Sequence, residues 1–294
     1  MRKIILCLVL LLYPSLALAG DSPRVLAVIA HPDDEGGFAA TLYAVAHHLH
    51  GTVDLVLVTD GSGGFKYSTL AEPIYGLKLT DETVAREYLP SIRRQELIAS
   101  GKIIGINQFF FLDQHDEKYT TDVDEIRKGS TWNIDTTRSQ LEDILKRGNY
   151  DFIIGLAPRP DTHAHHSTAT MLALEAREVL LPEKRPVALA TTIWAPEYQV
   201  KAQQLGLKDY PITAVSGDKP IAEFDRTTPF GYDKKLNYKI IADWVIAAHK
   251  SQGTMQLFAG KGEREQFWYF KENPLGGKQK TLKLFASIRE HLYK

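Results

Sequence analysis

Cysteine is almost missing from this chain. The single thiol, Cys7, sits in an apolar stretch near the start, so the residues beyond it can form no disulfide and offer no thiolate to a metal. An excess of basic charge is missing too. There are 35 Lys and Arg against 36 Asp and Glu, a formal net charge of -1, which leaves no electrostatic footprint for nucleic acid or an anionic membrane surface. Long hydrophobic runs are lacking: Ile4 to Leu12 is short for a membrane span. No Gly-x-Gly-x-x-Gly follows the first strand-like segment, which disfavours a nicotinamide-dependent dehydrogenase. No internal repeat or low-complexity segment is present.

The beginning of the chain has its own grammar. Met1-Arg2-Lys3, the apolar run and Ala17-Leu18-Ala19 form a positive, then apolar, then small-x-small pattern, so residues 1–19 read as a secretory signal peptide. Removing Arg2 and Lys3 with it takes the formal charge from -1 to -3. The expectation is an exported protein, periplasmic or secreted, with no stable membrane insertion after cleavage. Residues 20–294 are long enough for one large domain, with a small subdomain possible after about residue 195.

Apolar runs of strand type alternate with helical stretches. Strands are expected at Val25–Ala30, Val53–Val58, Phe109–Leu112, Tyr150–Leu156 and Val187–Trp194. Helices are expected at Phe38–His50, Ser91–Ile104, Thr136–Lys146, His166–Leu180 and Asp233–His249. Near-continuous apolar strands in this alternation predict an α/β, Rossmann-like fold, its mostly parallel sheet covered by helices on both faces. Gly61–Pro90 and Leu205–Gly231 read as irregular. The former, with its Gly-Ser-Gly-Gly run, is expected to form a pocket rim.

The first strand stops at Ala30-His31-Pro32-Asp33-Asp34-Glu35, one imidazole and three carboxylates at the edge where open α/β sheets bind ligands. The fourth strand is followed by His163-Ala164-His165-His166. Only a parallel sheet can unite these two clusters. Together they offer donors suited to Zn²⁺ or Fe²⁺. His47, His48 and His50 lie at the far end of a helix and are not expected to serve this site.

The first of these blocks resembles the signature of the PIG-L/LmbE-like deacetylases. Arg93-Arg94-Gln95-Glu96-Leu97, Phe111-Leu112-Asp113 and Ala248-His249-Lys250-Ser251-Gln252 are similar to later blocks of that family. His163-Ala164-His165-His166 keeps the outer histidines of its His-Pro-Asp-His block but replaces the inner Pro-Asp. The resemblance implies that His31, Asp34 and His166 hold a divalent metal, with Zn²⁺ expected and Fe²⁺ or another divalent ion as alternatives. It implies Asp33 as general base and His163 as the group that stabilises the oxyanion or protonates the leaving amine. Arg93 would bind substrate, or else pair with Glu96 one helical turn on. His165 is expected to face solvent, and Glu35 to orient a ligand histidine or cap the next helix. Trp194 and Tyr198 either stack on a sugar or finish the core.

The implied activity is removal of an N-acetyl group from a small molecule or glycan carrying an N-acetylglucosamine-type sugar. Hydrolysis of another amide, such as an acyl-amino acid or antibiotic-type substrate, is the nearest alternative. A non-catalytic glycan-binding protein is the alternative from another class.

Overall fold

A computed structural model describes residues 22–294, so the signal-peptide reading lies outside the described residues. Seven strands form the main sheet: β1 (Arg24–Ile29), β2 (Thr52–Thr59), β3 (Gln108–Gln114), β4 (Phe152–Leu156), β5 (Val187–Trp194), β6 (Ala222–Asp225) and β7 (Arg264–Tyr269). Their spatial order is β3-β2-β1-β4-β5-β7-β6. The first five are parallel, β7 pairs antiparallel with β5, and β6 pairs antiparallel with β7. The expected mostly parallel α/β sheet is therefore present.

Continuous apolar strands arise because both faces are covered. Along β1, Val25, Ala27 and Ile29 enter one core, while Leu26, Val28 and the following Ala30 enter the other. None of the six is more than 1% exposed. Burying a side chain such as Leu26 contributes about 1.5–3 kcal/mol. On the first face lie α1 (Ala39–Tyr43), α2 (Glu82–Ile104), α5 (Lys239–Ala248) and α6 (Gly277–His291); on the second lie α3 (Ile134–Gly148) and α4 (Ala164–Ala176). No helix among the described residues is long and apolar enough to cross a membrane.

Several boundaries differ from expectation. The helix expected from Ser91 begins at Glu82 and runs through Pro90. Asp81 caps it by accepting from the Val84 N–H at 3.1 Å. Burial of Leu89, Arg93 and Leu97 offsets the single backbone bond that Pro90 cannot make. Gly61–Tyr75 is a chain of short helical turns, not a loose loop. The expected Asp233–His249 helix shortens to Lys239–Ala248, and β6, β7 and α6 add structure in the C-terminal third that the periodicity did not disclose.

Topology positions the site. From β1 the chain builds outward through β2 and β3, then returns to place β4 on the other side of β1, with Val28 opposite Gly155. The crevice at this reversal is where such sheets bind ligands. The turn after β1 and the segment from β4 into α4 meet there.

Candidate metal centre

His31 leaves the end of β1, Asp34 lies in the short 3-10 turn that follows, and His166 lies in the first turn of α4. His31 Nδ1 is 3.1 Å from His166 Nε2 and 3.7 Å from Asp34 Oδ2, and His166 Nε2 is 3.2 Å from Asp34 Oδ1. Donors about 2.1 Å from a tetrahedral centre stand roughly 3.4 Å apart, so this trio matches the spacing of a shared divalent ion. Two neutral imidazoles and one carboxylate also match the donor chemistry of such a site.

The surrounding groups fix each of these donors. Asp34 Oδ2 accepts from the backbone N–H groups of Ala30 at 3.0 Å and His31 at 2.8 Å. Burial by itself would raise Asp34, but His166 and His31 hold it well below the usual carboxylate range. Burial opposes a charged His31 as well, yet Asp116 and Asp34 raise it to about 10. The site thus draws positive charge even when no metal is bound.

Asp116 joins the candidate site although the sequence did not single it out. It follows β3 by two residues, and its Oδ1 lies 3.6 Å from His31 Nε2 and 3.5 Å from His165 Nδ1. A carboxylate facing the outer nitrogen of a ligand histidine sets its tautomer and orientation. Asp113, the acid the sequence marked at this strand end, is exposed and pairs with Arg94. His165 corrects the expectation of a solvent-facing ring. It is fully buried against Trp132, with Nδ1 3.1 Å from His31 Nε2. His31, His163 and His165 form a second group of converging donors. That group contains no carboxylate, and His31 belongs to both, its Nδ1 turned to Asp34 and His166 and its Nε2 to His165.

Asp33 faces the same space without joining the trio. Its Oδ2 accepts from Arg93 Nη2 at 3.1 Å. Burial raises its pKa, with Arg93 opposing and Asp34 adding to the rise. The pairing of Arg93 with Glu96 is not formed: Arg93 is 2% exposed and donates to the carbonyls of Gly61 and Pro32 as well as to Asp33. Arg93 thus lines the cavity wall with its donors turned onto the protein. Glu96 accepts instead from Ser251 and Tyr75. Glu35 neither orients a ligand histidine nor caps a helix; it accepts from Ser100 at 2.5 Å and His249 at 2.6 Å.

His163 donates Nε2–H to the Lys118 carbonyl at 3.1 Å. Burial, reinforced by His31 and His165, pushes its pKa down to about 3, so the ring is neutral at ordinary pH. A polar cavity of about 590 Å³ opens over His31, Asp33, Asp34, His163 and His166, with Gly63 to Tyr67 on its rim. A Cβ on Gly64 would come within 2.7 Å of the Arg93 guanidinium, so glycine lets the rim close on the site.

The model of the family described as PIG-L, GlcNAc-PI de-N-acetylase, matches residues 26–177. The chain belongs to this family. The matched segment of this PIG-L chain spans β1 to the end of α4 and so contains the entire trio. A Bacillus cereus protein named as a probable N-acetyl-α-D-glucosaminyl L-malate deacetylase 2 is 27% identical over 171 residues, covering 58% of this chain and 68% of that protein. The N,N'-diacetylchitobiose deacetylase of Pyrococcus horikoshii superposes with a TM-score of 0.51 at 19% identity, covering 84% of each chain. A 4-carboxy-2-hydroxymuconate hydratase from Pseudomonas putida gives 0.52 at 15% identity, covering 84% of this chain and 95% of its own. These structural likenesses establish the fold of this PIG-L member, and the spread of chemistries shows that the fold leaves the reaction to the site.

Proposed function

We propose that this protein is a metal-dependent N-deacetylase acting on N-acetylglucosamine-type amino sugars, exported by the segment 1–19. The observation that carries this reading is the trio of His31, Asp34 and His166 with a half-buried Asp33 beside it that stands outside the trio. Family membership and the similarity to a glucosaminyl malate deacetylase support the amide and the sugar. A bound Zn²⁺ would supply Lewis acidity toward the amide carbonyl and make water easier to deprotonate.

The chain's own groups complete the reaction. Asp33, its pKa raised by burial, accepts the proton of the attacking water. The water oxygen bonds to the carbonyl carbon, the C–N bond breaks, and the proton held by Asp33 supplies the departing amine. His163 stands on the wall of the polar cavity and, by exchanging its Lys118 carbonyl contact for substrate, donates to the oxyanion or the departing nitrogen. Arg93 holds Asp33 in position.

Acetate release from N-acetylated amino sugars by chelated protein, before and after Zn²⁺ is returned, tests this reading. Activity is expected to vanish on chelation and to return with one equivalent of metal. Undiminished activity in the chelated protein overturns it.

A further inference from the structure

A second cavity, of about 390 Å³, shares Asp33 and Asp34 with the first in its lining. Leu156, Ile193, Ile246, Met255 and Phe258 make most of its exposed wall apolar, although Glu197, Arg226 and Lys261 also border it. Gly36 and Gly37, directly after the acidic cluster, line this cavity without side chains that would take up its space. A Cβ on Gly36 would lie 2.9 Å from the Met255 methyl, and one on Gly37 would lie 3.4 Å from Leu156. Phe258 and its neighbour Leu257 are 57% and 69% exposed, extending the apolar surface to the mouth. An acetyl methyl group uses little of such a space, which falls in the size range of a ligand pocket.

The two cavities differ in a way that orients an amide. Glu82, Lys118, His163 and Gln252, groups able to hydrogen-bond sugar hydroxyls, line only the polar cavity, whereas Asp33 and Asp34 line both. The amine half therefore lies on the polar side, and the acyl half projects past the carboxylates between apolar walls. We propose that the apolar cavity is an acyl-chain subsite and that this enzyme cleaves medium-chain N-acyl amino sugars better than N-acetyl ones. The proposal rests on the amidohydrolase reading above and names the acyl group that reading leaves open.

The test is kcat/KM for glucosamine N-acylated with acetyl, butanoyl, hexanoyl and octanoyl groups, using the zinc-loaded full chain. Burial of each added methylene predicts a gain of roughly three- to fivefold until the cavity fills. Octanoate should also inhibit at least tenfold more strongly than acetate, because the product carboxylic acid would keep the chain in the same place. In Ile193→Phe and Gly37→Val the octanoyl-to-acetyl ratio should drop at least tenfold. The wild-type profile decides the matter whether or not these variants fold. A flat or falling profile with acetyl still cleaved overturns the acyl subsite and leaves the hydrolase reading intact. Cleavage of none of the four substrates overturns both. A preference for octyl over methyl glycosides of N-acetylglucosamine, without a chain-length effect on the acyl side, assigns the cavity to the aglycone and also overturns the proposal.

Discussion

At the scale of single residues, the proposed mechanism separates groups that would hold a cation from one that would move a proton. Asp33→Asn removes the base and leaves the donor trio, so zinc content should stay at one ion per chain while kcat/KM falls 10²- to 10⁴-fold. Asp116→Ala should do the reverse in emphasis, weakening zinc binding 10- to 100-fold in a competition titration, since it orients His31 without being a ligand. In the chelated protein, His31 is raised from 6.5 to about 10. Its contribution to stability is complete below pH 6.5 and lost as pH rises toward 10. His163 is lowered from 6.5 to about 3, so it disfavours the folded state as pH falls below 6.5. The melting temperature of metal-free protein should therefore peak near pH 6.5. Zinc requires neutral imidazoles, so its uptake should release protons and its affinity should tighten with rising pH. The clustering of His31, Asp33, Asp34, His163 and His166 was legible because each sits at a strand end or beside a helix start, while the roles proposed for them came from the family resemblance. Asp116 was not, because it reaches the site from a loop whose path only the fold fixes.

At the scale of elements, what was legible followed burial. The five parallel strands announced themselves because both faces are apolar. β7 did not, since Arg264-Glu265-Gln266 reads as surface. Yet Glu265 is fully buried, paired with Arg226 at 2.7 Å and accepting from the N–H groups of Ala40 and Thr41 at the start of α1. Helix α2 shows a similar override. Gly101 reads as a weakness that alanine would repair, but a Cβ there would collide with the Phe109 ring of β3. Gly101→Ala is thus expected to lower unfolding free energy by about 1–3 kcal/mol by denaturant titration. A helix governed by propensity alone would gain instead. Loss of the cap in Asp81→Ala should cost about 1 kcal/mol in the same measurement.

At the scale of the whole molecule, the order β3-β2-β1-β4-β5 converts two sequence clusters 135 positions apart into one centre. Sequence spacing carries no such information. The strand adjacency does, because it sets β1 beside β4 and so brings their carboxyl ends together. That geometry can be probed most directly by anomalous scattering from a zinc-loaded crystal measured at the zinc absorption edge. A single strong peak about 2.0–2.2 Å from His31 Nδ1, His166 Nε2 and an oxygen of Asp34 is the predicted result. A zinc-loaded chain whose peak lies away from this trio would contradict it.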